Sequence, residues 1–296
     1  MSVQSVAIIG AGPAGLAAAI QLNRYGIRPL LLEGGEVGGL LRNANLVENY
    51  PGFPQGSSGR ELARLFALQA ENANVEVTCE EVLELSYQGL LFHIETTAKS
   101  YLSRLVVVAS GTRPVTFDEG FIPQEASQRV FYEVYPLLGY AGKRIGIIGA
   151  GDAAFDYALN LARSNQVFIL NRGEQLKCLP LLWERASRTP QITYYPMTRL
   201  IEVLARPHIG LQLECLGATG ELSLQVDVLI GALGRAPRLD FLSESLQSQA
   251  QLLEEQGVLY FIGDVKHGIF RQTAIAVGDG ILTAMKIYQR LEETKQ

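Results

Sequence analysis

The chain has 296 residues, of which 48% are hydrophobic and 30 are glycine. At about 150 residues per domain, this length predicts two globular domains, and the composition suits an α/β architecture with many tight turns. The 25 basic and 30 acidic residues give a net charge of −5 without a basic cluster, which argues against nucleic acid as a partner. No run reaches the ~18 uncharged apolar residues of a membrane span, so we expect a cytoplasmic protein.

The N-terminal segment has the pattern of a dinucleotide-binding site. A buried strand at residues 6–9 runs into Gly10-x-Gly12-x-x-Gly15, a helix follows, and the next strand ends at Glu33. In such a loop the first glycine allows the tight turn, the second lets a pyrophosphate approach the backbone, and the third permits close helix packing. The acid, about 20 residues further along the chain, accepts a hydrogen bond from a ribose hydroxyl. Its presence makes the motif more specific than the glycines alone.

The same pattern recurs as Gly-x-Gly-x-x-Ala at residues 149–154, after a second buried strand. Here the following strand ends at Asn171-Arg172, without an acid. An acid would repel a 2′-phosphate, whereas Arg172 and Lys177 would attract one, so this loop favours NADP over NAD. A solvated strand end is the alternative explanation for the two cations.

After the second loop the chain returns to its first domain. A strand runs into Gly263-Asp264, and a helix begins at about Thr273. A carboxylate there can meet a ribityl hydroxyl while helix N–H groups face a flavin, although Asp264 could instead cap a helix. The first domain is therefore discontinuous, with boundaries near residues 115 and 240.

The three cysteines, Cys79, Cys178 and Cys215, form no close pair along the sequence. This spacing argues against a disulfide framework and against a metal site of the zinc type. Because Cys79 and Cys215 stand in strand-like segments, we expect both to be small, buried, apolar side chains.

Seven segments resemble, in order and spacing, the low-molecular-weight thioredoxin reductases of the two-dinucleotide-binding-domain flavoprotein superfamily. They are "GAGPAGLAAAI", "LLLEGGEVGGLL", "VENYPGFP", "VVVASGTRP", "GIIGAGDAA", "GALGRAP" and "IGDVKHGIFRQTAIAVGDG", and they extend over essentially the whole chain. The resemblance implies an α/β fold of two Rossmann-like nucleotide-binding domains of the three-layer ββα type. The predicted domains are then a discontinuous FAD-binding domain at residues 1–115 and 241–296 and an NAD(P)-binding-like domain at residues 116–240. It also implies a homodimer that uses FAD and NADPH.

The resemblance implies a set of residues for each cofactor. Those for FAD are Gly10, Gly12, Pro13, Ala14, Gly15, Glu33, Gly39, Leu40, Asn49, Ser110, Gly111, Gly263, Asp264, Arg271, Gln272 and Thr273. Those of the NADP-like site are Gly149, Gly151, Asp152, Ala153, Arg172 and Lys177. The segment Asn171-Arg172-Gly173-x-x-x-Lys177 keeps two of the family's three basic positions, so NADPH, another nucleotide or no nucleotide stay open for the second site.

The family's Cys-x-x-Cys falls on Tyr132-Glu133-Val134-Tyr135. A phenol with a pKa near 10 can neither attack nor resolve a disulfide, so thioredoxin reduction by the family's usual route is excluded. This aromatic, cysteine-free segment and the loop after it resemble the thioredoxin-reductase-like ferredoxin/flavodoxin–NADP reductases. Tyr132 and Tyr135 are candidate flavin-adjacent residues, with buried packing as the alternative.

We therefore predict an FAD-dependent oxidoreductase that passes electrons between NADPH and an acceptor other than a disulfide, such as ferredoxin, flavodoxin, a quinone or a small molecule. Two other functions stay open. One is a disulfide-handling flavoprotein with relocated thiols, for which Cys178 or Cys215 would be the participant. The other is a nicotinamide-independent flavin-binding or sensor protein, which would fit the weakened phosphate site and Leu40, where the family usually has glutamine.

Overall fold

The computed structural model describes residues 2–206 and 210–293, so the ends of the predicted FAD-binding domain, residues 1 and 294–296, lie outside the described residues. The chain divides into two compact units. Apart from the short segment Asn43–Leu46, the chain passes from the first unit to the second between residues 113 and 114 and returns between residues 235 and 236. The first unit is Met1–Arg42, Val47–Arg113 and Ala236–Gln296, and the second is Asn43–Leu46 and Pro114–Arg235.

The elements follow in chain order along the described residues. The strands are β1 (Val3–Ile9), β2 (Leu30–Leu32), β3 (Val77–Thr78), β4 (Val82–Gln88), β5 (Leu91–Thr96), β6 (Ser100–Val108), β7 (Thr112–Pro114), β8 (Val130–Phe131), β9 (Arg144–Ile148), β10 (Gln166–Leu170), β11 (Ile192–Tyr195), β12 (Arg199–Arg206), β13 (Gly210–Gly217), β14 (Gly220–Val226), β15 (Val228–Gly231), β16 (Arg235–Pro237) and β17 (Leu259–Phe261). The helices are α1 (Pro13–Arg24), α2 (Gly59–Asn72), α3 (Asp152–Leu161), α4 (Pro180–Ser187), α5 (Glu244–Glu255) and α6 (Thr273–Glu293). Short 3-10 turns span Gly39–Asn43, Gln124–Arg129, Tyr135–Leu137 and Gly263–Val265.

The first unit is built on one sheet with the order β3-β2-β1-β6-β5-β4, in which β17 also pairs with β6. Strands β2, β1, β6 and β17 are parallel, whereas β4 and β5 form an antiparallel extension. Both faces of β1 are buried, since Val6 and Ile8 pack with α1 and α6 and Ile9 packs with Leu85 and Phe92 on the opposite face. Alternate residues of a strand point to opposite faces, which explains the uninterrupted apolar run of β1.

The second unit has three layers. Its parallel sheet has the order β11-β10-β9-β15-β8, and the antiparallel sheet has the order β12-β13-β14. Ile145 and Ile147 of β9 pack with Phe155 of α3 on one side. On the other side Leu229 of β15 packs with Leu213 of the antiparallel sheet. A helical layer, a parallel sheet and an antiparallel sheet therefore follow one another, which is the ββα arrangement that the resemblance implied.

One expectation about the cysteines is wrong. Strand β3 ends at Thr78, so Cys79 lies beyond the strand and is exposed. The N–H of Glu80 donates to the carbonyl oxygen of Thr78 at 2.9 Å, which turns the chain out of the sheet at Cys79. Cys215 lies within β13 and is buried, as expected.

Among the helices formed by residues 2–206 and 210–293, none combines the length and the apolar character that crossing a membrane requires.

Candidate nucleotide-binding sites

The loop between β1 and α1 has the geometry that a pyrophosphate requires. Gly10 has a φ of +106°, and a Cβ there would overlap the carbonyl oxygen of Ala109. At Gly12 an added Cβ would meet no atom within 4 Å, so the backbone is open to an approaching phosphate. At Gly15 a Cβ would overlap the carbonyl oxygen of Gly10, so only glycine lets α1 start this close to the loop.

Glu33, directly after β2, is held at the same loop by two backbone donors. Its Oε2 accepts from the N–H of Ala11 at 2.7 Å and its Oε1 accepts from the N–H of Gly35 at 2.7 Å. An ionised carboxylate has about four acceptor positions, so two remain for ribose hydroxyls. The residues present therefore fit the ribose and pyrophosphate of a dinucleotide.

Other predicted FAD-site residues adjoin this loop or meet each other. Gly39 begins the turn that contains Leu40, and a Cβ on Gly39 would lie 3.3 Å from the Cα of Gly12. Asn49 and Gln272 are 223 positions apart, and the Asn49 side-chain amide donates to Oε1 of Gln272 at 2.8 Å.

Ser110 and Gly111 follow β6 at the edge of the same loop, but their hydrogen bonds go elsewhere. The Ser110 hydroxyl donates to the carbonyl oxygen of Arg238 at 2.6 Å, and the Arg238 N–H donates to the carbonyl oxygen of Gly111 at 3.1 Å. These two predicted residues are thus joined to the segment before α5 rather than to Gly10 or Gly12.

The turn that carries Asp264 packs against α1 and is tied to α6. A Cβ on Gly263 would lie 2.9 Å from the Cβ of Ala14. The Gly263 N–H donates to Oδ2 of Asp279 at 2.9 Å, and the same oxygen lies 2.6 Å from Nε2 of His267. The sequence did not indicate Asp279 or His267 as site residues; the available signal was a single carboxylate among the small and apolar residues that open α6.

Four more of the predicted FAD-site residues lie at or just before a helix start. Pro13 and Thr273 are the first residues of α1 and α6, and Arg271 and Gln272 directly precede α6. Unpaired N–H groups at a helix start favour an anionic group, which is the reason that both positions suit a bound dinucleotide.

The second glycine loop, between β9 and α3, repeats the geometry of the first. Gly149 has a φ of +132°, and a Cβ there would overlap the carbonyl oxygen of Ala232. Gly151 is open, because an added Cβ would meet no atom within 4 Å. Asp152 and Ala153 are the first residues of α3, and both are exposed.

The segment that carries the two predicted cations is fastened to this second loop. The Lys177 N–H donates to the carbonyl oxygen of Ala150 at 3.1 Å, and the Leu179 N–H donates to Oδ1 of Asp152 at 2.7 Å. Arg172 and Lys177 are exposed. The segment that carries both cations is thus joined by its backbone to a glycine loop that is open at Gly151, which fits a phosphorylated nucleotide.

The segment Tyr132-Glu133-Val134-Tyr135 packs within the second unit. The Tyr132 hydroxyl accepts from the N–H of Phe117 at 3.2 Å, and a Cβ on Gly231 would lie 2.8 Å from the Tyr132 ring. The Tyr135 N–H donates to Oδ1 of Asn43 at 3.0 Å. Both tyrosine side chains are half-buried, and these contacts lie within the second unit.

A charged cluster occupies the middle of that segment. Glu133 forms an ion pair with Arg235 at 2.6 Å, and the Tyr157 hydroxyl donates to Glu133 at 3.4 Å. Burial, followed by the negative charge of Glu133, raises the pKa of the Tyr157 hydroxyl well above its usual value of 10.0. The phenol of Tyr157 therefore stays protonated at neutral pH.

The three thiols are free and lie in different surroundings. Cys178 is partly buried against the core that contains Phe155 of α3 and Ala186 of α4, and burial raises its pKa. Cys215 lies in the core between the two sheets of the second unit, and burial raises its pKa to about 11. These surroundings keep both thiols protonated at neutral pH.

Residues 4–280 match the sequence profile of the pyridine nucleotide-disulphide oxidoreductases. The chain belongs to this family. It is 31% identical to a thioredoxin reductase of Streptomyces coelicolor over 96% of this chain and 92% of that protein. It is 27% identical to a thioredoxin reductase of Mycolicibacterium smegmatis over 99% and 98% of the two chains. It is also 28% identical to NADPH-dependent thioredoxin reductase 3 of Arabidopsis thaliana, of whose length it spans 57%.

Solved structures confirm the predicted fold class. The Lactococcus lactis thioredoxin reductase superposes with a TM-score of 0.85 at 27% identity over 98% of this chain and 99% of that one. The T. acidophilum thioredoxin reductase gives a TM-score of 0.82 at 26% identity over 97% and 98%. The chain therefore has the two-Rossmann-domain fold of low-molecular-weight thioredoxin reductases, and FAD and NADPH are the cofactors of this family.

Proposed function

We propose that this oxidoreductase passes electrons between NADPH and an acceptor other than a disulfide, such as ferredoxin, flavodoxin, a quinone or a small molecule. The observation that carries the proposal is the state of the thiols. Cys178 and Cys215 belong to two separate cores, and all three cysteines are free. A disulfide relay needs two thiols within bonding reach and one accessible thiolate.

The individual thiols also argue against a relocated relay. Burial raises the pKa of the Cys215 thiol to about 11, so this thiol stays protonated at pH 7. Cys79 is exposed, but it follows Thr78, whose carbonyl oxygen accepts from the Glu33 N–H at 3.0 Å. A carboxylate in the position of Glu33 accepts from a ribose, so Cys79 belongs to the ribose end of the candidate FAD site.

The protein's own residues would bind and orient the cofactors, whose hydride and electron transfer chemistry is intrinsic to them. In this proposal the open backbone at Gly12 takes the pyrophosphate of FAD, and Glu33 accepts from its ribose. Gly151 takes the pyrophosphate of NADPH, while Arg172 and Lys177 attract its 2′-phosphate. Tyr132 and Tyr135 occupy the sequence positions of the family's thiols, and stacking of either ring on a flavin would contribute about 0.5–1.5 kcal/mol.

We further propose that the protein acts as a cytoplasmic homodimer, since the related thioredoxin reductases match it over nearly the whole chain. The partners are then a nicotinamide nucleotide and an electron-carrier protein or small acceptor, with no nucleic acid involved. The mass in solution, measured by light scattering, tests the dimer, and a monomeric mass at micromolar concentration contradicts it.

Anaerobic spectroscopy tests the proposed electron path. We expect the purified protein to be yellow, to release FAD on denaturation, and to lose its flavin absorbance on addition of NADPH faster than on addition of NADH. Addition of a quinone or oxidised flavodoxin should restore the absorbance, whereas oxidised thioredoxin should not. Reoxidation by thioredoxin, or no response to either nicotinamide at millimolar concentration, contradicts the proposal.

A further inference from the structure

We infer that Asn171 is the positioning residue that sets the nucleotide specificity of the second site, because it holds the loop of residues 172–177 in one shape. The inference rests on the proposed function, since it assumes that this site takes a nicotinamide nucleotide. Asn171 directly follows β10, at the position where an acid would select NAD. Its side-chain amide does more than lack the charge of that acid, because it forms hydrogen bonds that an acid could not form.

The side chain of Asn171 forms its hydrogen bonds with other groups of the protein. It is buried, with an exposed fraction of 8%. Its Nδ2 donates to the carbonyl oxygen of Gln175 at 3.1 Å and to the Tyr194 hydroxyl at 2.8 Å, while its Oδ1 accepts from the Gly173 N–H at 3.1 Å. A side-chain amide has two N–H donors, and both are used here.

The contrast with the first site is direct. Glu33 occupies the corresponding place after β2, and its carboxylate accepts from two backbone N–H groups with two acceptor positions left over. Asn171 instead donates to a carbonyl oxygen of its own loop, which a carboxylate cannot do. An aspartate at position 171 would therefore face the Gln175 carbonyl as a second acceptor and leave that contact repulsive.

Backbone bonds fix the same loop at alternate residues. The Met197 N–H donates to the Gly173 carbonyl oxygen at 3.1 Å, and the Lys177 N–H donates to the Ala150 carbonyl oxygen at 3.1 Å. The loop is thus held at residues 171, 173, 175 and 177, whereas the side chains of Arg172 and Lys177 are exposed. A loop that is already ordered loses less entropy on binding, so the two cations can meet a 2′-phosphate at low cost.

The hydrogen bond to Tyr194 also connects the loop to a natural optical probe. The Tyr194 ring packs against the indole of Trp183 with a centroid separation of 5.2 Å and an interplanar angle of 69°. Trp183 is the sole tryptophan of the chain. A change in the Asn171–Tyr194 contact should therefore alter the tryptophan emission.

The experiment measures binding of adenosine 2′,5′-bisphosphate and of AMP, two probes that differ by the 2′-phosphate, to the full-length FAD-loaded protein. Calorimetry gives the affinities, and Trp183 emission gives an independent signal. We expect the parent to prefer the bisphosphate at least about tenfold. Asn171→Leu should lower bisphosphate affinity about tenfold and leave AMP affinity within about twofold, so that the preference collapses. Asn171→Asp should gain no AMP affinity.

Two further variants make the result decisive. Arg172→Gln removes a cation without touching the bonds of Asn171, and it should also collapse the preference while leaving the Trp183 emission of the free protein unchanged. Tyr194→Phe removes one partner atom of Asn171, and it should lower the preference about threefold and shift the emission. If Asn171→Leu does not fold, the ratio of bisphosphate affinity to AMP affinity in Tyr194→Phe tests the inference instead.

The possible failures are distinguishable. An equal loss of both affinities in Asn171→Leu would mean that the amide merely stabilises the fold. A gain of AMP affinity in Asn171→Asp would mean that an acid at position 171 can bind the ribose. Either result, or an unchanged preference in Tyr194→Phe, overturns the inference and leaves the proposed function standing. A parent protein that binds neither probe overturns both.

Discussion

Oδ2 of Asp156 accepts a 2.8 Å hydrogen bond from the backbone N–H of Asn45, a residue 111 positions earlier in the chain. Asn45 belongs to the short segment Asn43–Leu46 that groups with the second unit. Its side-chain oxygen also accepts from Arg163 at 2.6 Å. This segment is flanked on both sides by residues of the first unit, so a domain assignment from the linear sequence had no reason to separate it.

The burial of Asp156 predicts a dependence of stability on pH. Burial raises its pKa from 3.8 to about 6, although the Asn45 N–H and the charge of Arg163 act in the opposite direction, and nearby Asp152 adds to the rise. A carboxyl that holds its proton more tightly in the folded chain contributes stability below pH 3.8, and this contribution is lost as the pH rises through about 6.

Asp156→Asn keeps the acceptor oxygen and removes the titration. We expect this variant to gain about 2 kcal/mol over the parent between pH 4 and pH 7, since one pKa unit corresponds to about 1.4 kcal/mol and partial solvation reduces the full value. Urea unfolding followed by Trp183 emission reports on the second unit. Parallel curves of parent and variant across this pH range would contradict the expectation.

The open backbone at Gly12 predicts a variant that folds but loses the flavin. Gly12→Ala adds a methyl group that meets no protein atom within 4 Å, so it should leave stability unchanged while it obstructs the pyrophosphate. FAD affinity should fall at least about tenfold, measured by recovery of flavin fluorescence on dilution. The control is Gly278→Ala, at an equally open position in α6, which should retain FAD. Equal FAD affinity in the two variants would be inconsistent with this site.

Asp279 predicts a second, less direct effect on flavin binding. Its Oδ2 accepts from the Gly263 N–H, which holds the turn that carries Asp264. Asp279→Ala should therefore weaken FAD retention about tenfold, because the buried N–H loses its acceptor. Asp279→Asn still offers an oxygen to this N–H and should recover most of the affinity. Retention in the alanine variant equal to that of the parent would show that the turn needs no such support.

The surroundings of the thiols predict an order of alkylation. Cys79 is exposed, Cys178 is half-buried, and Cys215 is buried with a pKa of about 11. Because iodoacetamide reacts with the accessible thiolate, Cys79 should be labelled first and Cys215 only on unfolding. Peptide mass spectrometry over a time course gives the order. Labelling of Cys215 in the native protein at the rate of Cys79 would remove the main argument against a relocated thiol relay.

Much of the fold could be predicted, because its signals are local. The apolar runs of β1 and β9, the glycines of the two loops and the acid at Glu33 lie within short stretches, and each has a defined task in a strand–loop–helix unit. The layer order follows from the family resemblance. The error at Cys79 arose because a strand-like composition does not show where the backbone leaves the sheet.

The contacts that refine the sites could not be predicted. Asn171 meets Tyr194 and Asp156 meets Asn45 only through tertiary packing, and nothing in the local pattern indicates either partner. The same holds for the bond from Gly263 to Asp279, although a lone carboxylate at the start of α6 was a visible signal. Hydrogen bonds that depend on distant segments require the folded backbone.

The central claim is that electrons pass from NADPH to a non-disulfide acceptor without the participation of a thiol. The most direct test is a variant in which serine replaces Cys79, Cys178 and Cys215. Anaerobic stopped-flow absorbance should show bound flavin reduced by NADPH and reoxidised by a quinone at the parent's rates within about twofold. Thioredoxin should reoxidise neither protein. A cysteine-free variant that folds and is reduced by NADPH but loses reoxidation would contradict the account, because a cysteine would then carry the electrons.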